Sequence, residues 1–257
     1  MPDAPLVLIH GYPFSHSLWF STIAALGATA RVIAPDLPGF GKNPVRRQGK
    51  ASLDQAADYI AEVLDEHQQK AAVIAGMSMG GYVALAFAEK YPERTLGLGL
   101  ISTQAAADSP EAKEGRFAMI KKIREQGAAA ASDAILAKLF AGDILKNPSL
   151  RDYPVEGALA AGIDGLSWAL EAMAARPDRT DLVRSLDIPV LILHGLEDKI
   201  VPALKARELA ESCLKPILVE LRGVGHGSPL EAPDQVAAAL ARLIQKCKDE
   251  KALAEGE

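Results

Sequence analysis

The stretch Gly76-Met77-Ser78-Met79-Gly80-Gly81 follows an apolar run at 71–75 and leads into a helix-prone run at 82–90. A serine therefore stands at a strand-to-helix turn with glycines on both sides. So tight a bend leaves no room for side chains at the flanking positions, which glycine, lacking Cβ, tolerates. The corner pushes Ser78 Oγ out above the end of the sheet, beside the backbone N–H groups that open the next helix. The bland reading of the same residues is a small-residue turn that lets a helix pack on a strand. Position between strand and helix favours a nucleophile's seat.

Working outward, short apolar, β-branched-rich runs recur at 6–9, 31–35, 96–102, 189–194 and 216–221. With 71–75 they predict strands buried on both faces. Helices fall between most of them. Ser52-Leu53-Asp54-Gln55 has capping-box spacing, with Ser52 expected to accept from the Gln55 N–H and Gln55 to reach back, so a helix is predicted over 53–69. The helix after Ser78 should stop near Tyr91, because Pro92 cannot continue its hydrogen-bond ladder. Further helices are predicted at 203–212 and 232–247. Strands alternating with crossover helices mean an α/β protein: a mostly parallel central sheet with helices on both faces. Ligands of such sheets sit beyond the carboxyl ends of the strands, where Tyr12, Ser78, Gly195 and Asp198 should emerge.

The alternation fails between 104 and 184, an alanine-rich, helix-prone stretch broken at Pro110, Pro148, Pro154 and Pro177. It reads as a helical cap inserted into a core of 1–103 and 185–257, with helices at 111–126, 128–140 and 166–176. An insertion at a strand's carboxyl end should lie across the site, exclude water and shape a pocket. The charged tail at 248–257 is expected to fray.

Composition narrows the function. The 257 residues are 49% hydrophobic and 24% charged, ordinary values for a globular domain. A formal net charge of −5 supplies no broad basic field for nucleic acid or an anionic membrane, so neither is an expected partner. Met1-Pro2-Asp3-Ala4-Pro5 carries no basic cluster, and the apolar run at 6–9 is far shorter than a signal-peptide core or a spanning helix. The expectation is a cytoplasmic protein. Cys213 and Cys247 have no metal-ligand spacing and read as buried or half-buried thiols.

A serine hydroxyl is a poor nucleophile at neutral pH and needs a base, itself oriented by a third group. His226, in Gly223-Val224-Gly225-His226-Gly227 after the last strand, is the best base. His67 falls on a polar helix face, His16 in a loop, and His194 at a strand end, all read as packing or surface residues. His10 should hold loops together. The acid belongs on a loop after a strand, where Glu197 and Asp198 stand, and Asp198 is favoured over a simple turn or N-cap carboxylate. Ser78, Asp198 and His226 run in the chain order of one hydrolase type and not of the chymotrypsin or subtilisin types. Donors for a developing oxyanion are assigned to the backbone N–H groups of Met79 and Tyr12.

His10-Gly11-Tyr12-Pro13, Asp36-Leu37-Pro38-Gly39-Phe40-Gly41, Gly76 to Gly81, Gly195-Leu196-Glu197-Asp198 and Gly225-His226 together resemble the α/β-hydrolase superfamily. The cap and Ala172-Met173-Ala174-Ala175-Arg176-Pro177-Asp178 are similar to bacterial carboxylesterases and 3-oxoadipate enol-lactonase-like hydrolases. The resemblance implies a Ser-His-Asp triad, two backbone oxyanion donors, no cofactor and no metal. Many relatives begin with a two-strand hairpin that this chain lacks, leaving a sheet edge that a second subunit could cover. The expected substrate is a small apolar or aromatic ester, with Tyr12, Phe14, Phe117, Phe140 and Trp168 as pocket residues. An enol-lactonase would need a cation for its substrate's carboxylate, from Arg116, Lys121, Arg124 or Arg176. A hydrolase-fold protein that only binds a small ligand is the non-catalytic alternative.

Overall fold

The computed structural model describes residues 4–45, 50–142 and 148–256. Along the chain run β1 (Leu6–Ile9), a 3-10 turn (His16–Trp19), α1 (Phe20–Leu26), β2 (Val32–Ile33), α2 (Leu53–Glu66), β3 (Ala72–Met77), α3 (Met79–Lys90) and β4 (Thr95–Ile101). Four helices follow before the next strand: α4 (Pro110–Gln126), α5 (Ala129–Leu139), α6 (Pro148–Ala175) and α7 (Thr180–Ser185). Then come β5 (Val190–Gly195), α8 (Ala203–Ser212), β6 (Pro216–Leu221), α9 (Ser228–Glu231) and α10 (Pro233–Gly256).

The six strands form one parallel sheet in the order β2-β1-β3-β4-β5-β6. Side chains alternate across the strands, so each feeds two apolar layers. Val7, Ile9, Ile74, Leu98 and Ile192 face a layer shared with α2 and α3, while Leu6, Leu8, Val73, Leu191 and Leu193 face one shared with α1 and α10. Each such side chain, fully buried, contributes about 1.5–3 kcal/mol as an upper estimate, so the sheet is the rigid platform for everything at its rim. The chain steps from β1 outward to β2, then returns past β1 to β3. Loops after β1 and β3 thus leave in opposite directions and open a crevice between them.

The expectation of strands buried on both faces holds in the middle of the sheet and fails at its edges. β2 has only two residues, one partly exposed, and β6 exposes Pro216 and Leu218, because an edge strand packs fewer neighbours. The capping box is also different: Ser52 Oγ accepts from the Asp54 N–H at 3.1 Å, and Gln55 Nε2 donates to the Lys50 carbonyl instead. α2 stops at Glu66, not 69, since Gln68 turns to φ 56° and the Gln69 N–H closes on Leu64 O at 2.7 Å. The tail expected to fray forms the last turns of α10. α10 runs on to Gly256, pinned where Lys215 Nζ donates to Glu250 Oε2 at 2.7 Å.

Within the insertion, Ser109 caps α4 by accepting from the Ala112 N–H, and Pro110 takes the first helical position. Helix extends well before 166, with the dihedral break at Gly162 (φ 63°, ψ −176°) while Pro154 sits inside the first segment. Docking relies on close backbone approach. A Cβ at Gly157 would lie 2.2 Å from Pro13 O, and one at Gly165 would lie 2.0 Å from Gly39 O. α6 therefore rests directly on the loops after β1 and β2. Among the described residues, no helix is long and apolar enough to cross a membrane.

Candidate active site

Ser78 is the single residue between β3 and α3, and it adopts φ 54°, ψ −114°, a conformation that costs a non-glycine residue about 1–3 kcal/mol. Surrounding bonds hold it there. Its N–H donates to Ile101 O at 2.9 Å, and its carbonyl accepts from Thr103 Oγ1 at 2.8 Å and the Gly81 N–H at 2.9 Å. A Cβ at Gly76 would fall 2.1 Å from Gly80 O, and one at Gly80 2.2 Å from Ile9 O, so only glycine lets β1, β3 and α3 interlock.

The loop after β1 runs against this corner, close enough that a Cβ at Gly11 would lie 3.3 Å from Ser78 Cβ. Met79 opens α3, so its N–H has no acceptor within the helix. Among the described residues neither that N–H nor the Tyr12 N–H donates to another backbone group.

After β5 the chain turns at Asp198, whose N–H donates to Gly195 O at 3.2 Å. Asp198 Oδ1 accepts from the N–H groups of Ile200 and Val201 at 2.7 and 2.9 Å, and Oδ2 lies 2.7 Å from His226 Nδ1. Both side chains are essentially out of water. Burial alone would raise the Asp198 carboxyl, but the hydrogen bond and charge of His226 and the two backbone N–H groups hold it below the ordinary carboxylate value. With an acceptor at Nδ1, the network assigns the neutral imidazole its proton there, leaving a lone pair at Nε2. The histidine loop and the elbow flank the end of β4. Ser78 bonds Ile101, and the hydroxyl of the next residue, Ser102, meets Ser228 Oγ at 3.5 Å.

The other histidines take supporting places. His194, buried, donates from Nε2 to Val201 O at 2.9 Å and lies 3.4 Å from Asp198 Oδ2. Its pKa is lowered, by burial first, so a neutral ring backs the carboxylate. His16 holds Asp36 at 2.8 Å, and His67 ends α2 in solvent. His10 does bind loops together, donating from Nδ1 to Gly11 O and accepting the Leu37 N–H at Nε2, both at 3.0 Å. Burial, the largest influence, brings its pKa from 6.5 down to about 4. The unfolded chain therefore takes up a proton near 6.5 that the fold refuses, and stability falls as pH drops from 6.5 toward 4. From His10 alone, urea unfolding should show about 2–3 kcal/mol less stability at about pH 4.5 than at about pH 7.5, and His10→Gln should flatten that slope.

The expected pocket residues do not all converge. Phe117 is 54% exposed on α4, turned outward because the inner face of that helix is taken by Ile120 and Ile123. Trp168 is buried against the α2–α3 layer and borders an outer groove of about 300 Å³ with Val45, Ser167 and Glu171. Phe14 and Phe140 share the other layer, and Phe140 also packs on Gly227, beside His226. Tyr12 is half-buried, its hydroxyl buried without a hydrogen-bond partner among the described residues and its ring edge-on to Phe40. Of the four cations considered, Lys121 and Arg124 lie at the surface near Glu125 and Glu171. Arg116 and Arg176 both bind Asp108, Arg176 Nη1 at 2.6 Å, and the Arg176 guanidinium stacks 3.9 Å over the Tyr82 ring. Burial works against the Asp108 charge, but the two guanidiniums hold its carboxyl low. Sequence reading missed Asp108 and Glu231, each of which joins a near partner (Arg116, Gly225) to one far along the chain (Arg176, Ala141); only the short spacing of Glu231 from His226 hinted at a role. Among the described residues, no cluster of three or more His, Cys, Asp or Glu is placed to hold a metal.

Known proteins are similar to this chain in sequence and fold. The chain is 33% identical over 248 residues to the dihydrolipoyllysine-residue acetyltransferase component of the acetoin cleaving system of Pseudomonas putida, covering 94% of this chain and 64% of that one. It thus spans less than two-thirds of that relative's length. A thermophilic esterase from Thermogutta terrifontis, solved with malate bound, superposes with a TM-score of 0.90 at 34% identity, over 95% of this chain and 90% of that one. The enol-lactonase from Burkholderia xenovorans LB400 superposes with a TM-score of 0.85 at 25% identity, over 95% and 92%. A model of the alpha/beta hydrolase family matches residues 6–239, and with the six-stranded parallel sheet and its serine elbow this establishes that the chain belongs to that family.

Proposed function

We propose that this chain is a serine hydrolase that cleaves small carboxylic esters through an acyl-enzyme. Ser78 Oγ attacks the carbonyl carbon as His226 Nε2 takes its proton, and Asp198 stabilises the imidazolium that results. The N–H groups of Tyr12 and Met79 receive the oxyanion. His226 then returns the proton to the leaving alcohol, and water, activated by the same imidazole, releases the acid and regenerates Ser78. The observation that carries the reading is the buried 2.7 Å bond between Asp198 and His226 at the same sheet end as a strained Ser78. The insertion at 104–184 serves as the cap over the site, through its contacts on Pro13 and Gly39. We place the reaction in the cytoplasm, in keeping with two free, half-buried thiols.

The test is fluorophosphonate labelling with mass mapping, together with p-nitrophenyl acetate, butyrate and longer esters. Modification of Ser78 and preference for short chains are expected; intact Ser78 after labelling, or turnover unaffected by it, would overturn the reading. A second reading, an anionic ester or enol-lactone as substrate, is favoured by the two guanidiniums on one carboxylate at Asp108, which leave a net positive charge. The malate and the lactonase activity named for two relatives point the same way. Preference by orders of magnitude for an anionic enol-lactone over neutral esters would select it.

A further inference from the structure

The residues on both sides of His226 are held by groups outside the triad. The Gly225 N–H lies 3.0 Å from each oxygen of the Glu231 carboxylate, and the Gly227 N–H donates to Leu139 O at 2.7 Å. The same Glu231 carboxylate accepts from the Ala141 N–H at 2.8 Å, just beyond the end of α5. Phe140, between those two α5-end contacts, packs its ring on Gly227. The histidine loop is thus a strip clamped between Glu231 and the cap, and the carboxylate bonds both sides of the joint.

We infer that Glu231 is a positioning residue for His226, fixing the imidazole by tying its loop to the end of α5. The inference rests on the serine-hydrolase reading of the site. Glu231 touches neither substrate nor Ser78 in this role; it acts through the backbone of Gly225. Oε2 faces the N–H groups of both Ala141 and Gly225, and Oε1 faces the Gly225 N–H as well, so both carboxylate oxygens meet backbone donors. A glutamine of nearly the same volume can keep its one oxygen at the shared Oε2 position only by turning its NH2 toward the Gly225 N–H, two donors face to face, which pushes the histidine loop away. Burial, the largest influence on the Glu231 carboxyl, raises its pKa, with the Asp198 charge acting the same way against the backbone donors.

Small displacements of a base from its proton are costly, up to about 10²-fold for a misplacement near 1 Å. Glu231→Gln should therefore lower kcat for p-nitrophenyl acetate and the fluorophosphonate labelling rate of Ser78 together, by about 10- to 100-fold, with KM within about twofold. Circular dichroism and melting temperature should stay near wild type. Glu231→Asp, which keeps both acceptor oxygens on a shorter arm, should regain part of kcat. If Glu231→Gln does not fold, Glu231→Asp is judged alone, and it should show a smaller kcat loss at constant KM. The inference is overturned by unchanged kcat in a folded variant, by a rise in KM alone, or by activity loss that only follows loss of folded protein. Wild-type protein left unlabelled at Ser78 would instead remove the hydrolase reading itself, so the two failures are distinguishable.

Discussion

Ser78→Ala should lower kcat for ester hydrolysis by about 10⁶-fold while leaving substrate affinity within a few-fold. The residual rate, about 10³–10⁴ over water, would come from the oxyanion donors and binding alone. The donors proposed for the oxyanion, the backbone N–H groups of Tyr12 and Met79, should survive the substitution, because the β1 loop and the start of α3 carry them independently of the Ser78 side chain. A companion variant separates chemistry from architecture. Ser78→Gly removes the same hydroxyl, but glycine accepts φ 54° without strain, and every bond of the Ser78 backbone to Ile101, Thr103 and Gly81 remains. Relief of strain, less the greater entropy of an unfolded glycine, should leave this variant about 1 kcal/mol more stable. Steady-state kinetics and urea melts of both proteins are the measurements. A Ser78→Ala enzyme with more than a tenth of wild-type kcat would place the nucleophile elsewhere, and a destabilised Ser78→Gly would mean that the side chain supports the turn.

Asp198→Asn should cost about 10⁴-fold in kcat with the fold intact. Asp198 Oδ1 already accepts two backbone N–H groups at 2.7 and 2.9 Å, so asparagine will place its one oxygen there and aim its NH2 at His226. His226 Nδ1 must then become an acceptor, its proton moves to Nε2, and the ring can no longer take a proton from Ser78. His194, 3.4 Å from Asp198 Oδ2 and committed to Val201 O, is poorly placed to substitute for the lost charge. The pH dependence gives a second readout. Hydroxide can take the serine proton when the imidazole cannot, so the deficit should shrink as pH rises. A variant retaining a tenth of wild-type kcat at neutral pH would show that Asp198 is not the orienting acid.

Much of the platform was legible because it is local. Six apolar runs, the elbow glycines and Pro92 act over a few residues; the strands fall within two residues of their expected places, and α3 ends at Lys90 as expected but starts three residues earlier, at Met79. The edges were less legible because burial on both faces depends on neighbours that β2 and β6 lack. The persistence of α10 was invisible because it depends on Lys215, 35 residues away in sequence from Glu250. In the site, Asp198 and His226 could be named from loop position and order, whereas the outward turn of Phe117 could not, since helix period alone does not say which face of α4 meets the rest of the protein.

The sequence by itself determined the parallel α/β platform, the serine corner and the order of acid and base, because strand pattern, turn chemistry and glycine sterics are short-range. Only the tertiary structure decided how those groups are held: Asp198 locked by backbone N–H groups, His194 behind it, Asp108 shared by two arginines, and the histidine loop clamped through Glu231 to α5. Those partners lie up to 90 residues apart, as for Glu231 and Ala141. Hydrogen bonds and ion pairs between such distant groups leave no periodicity along the chain; they exist only once the sheet has brought its loops to one rim.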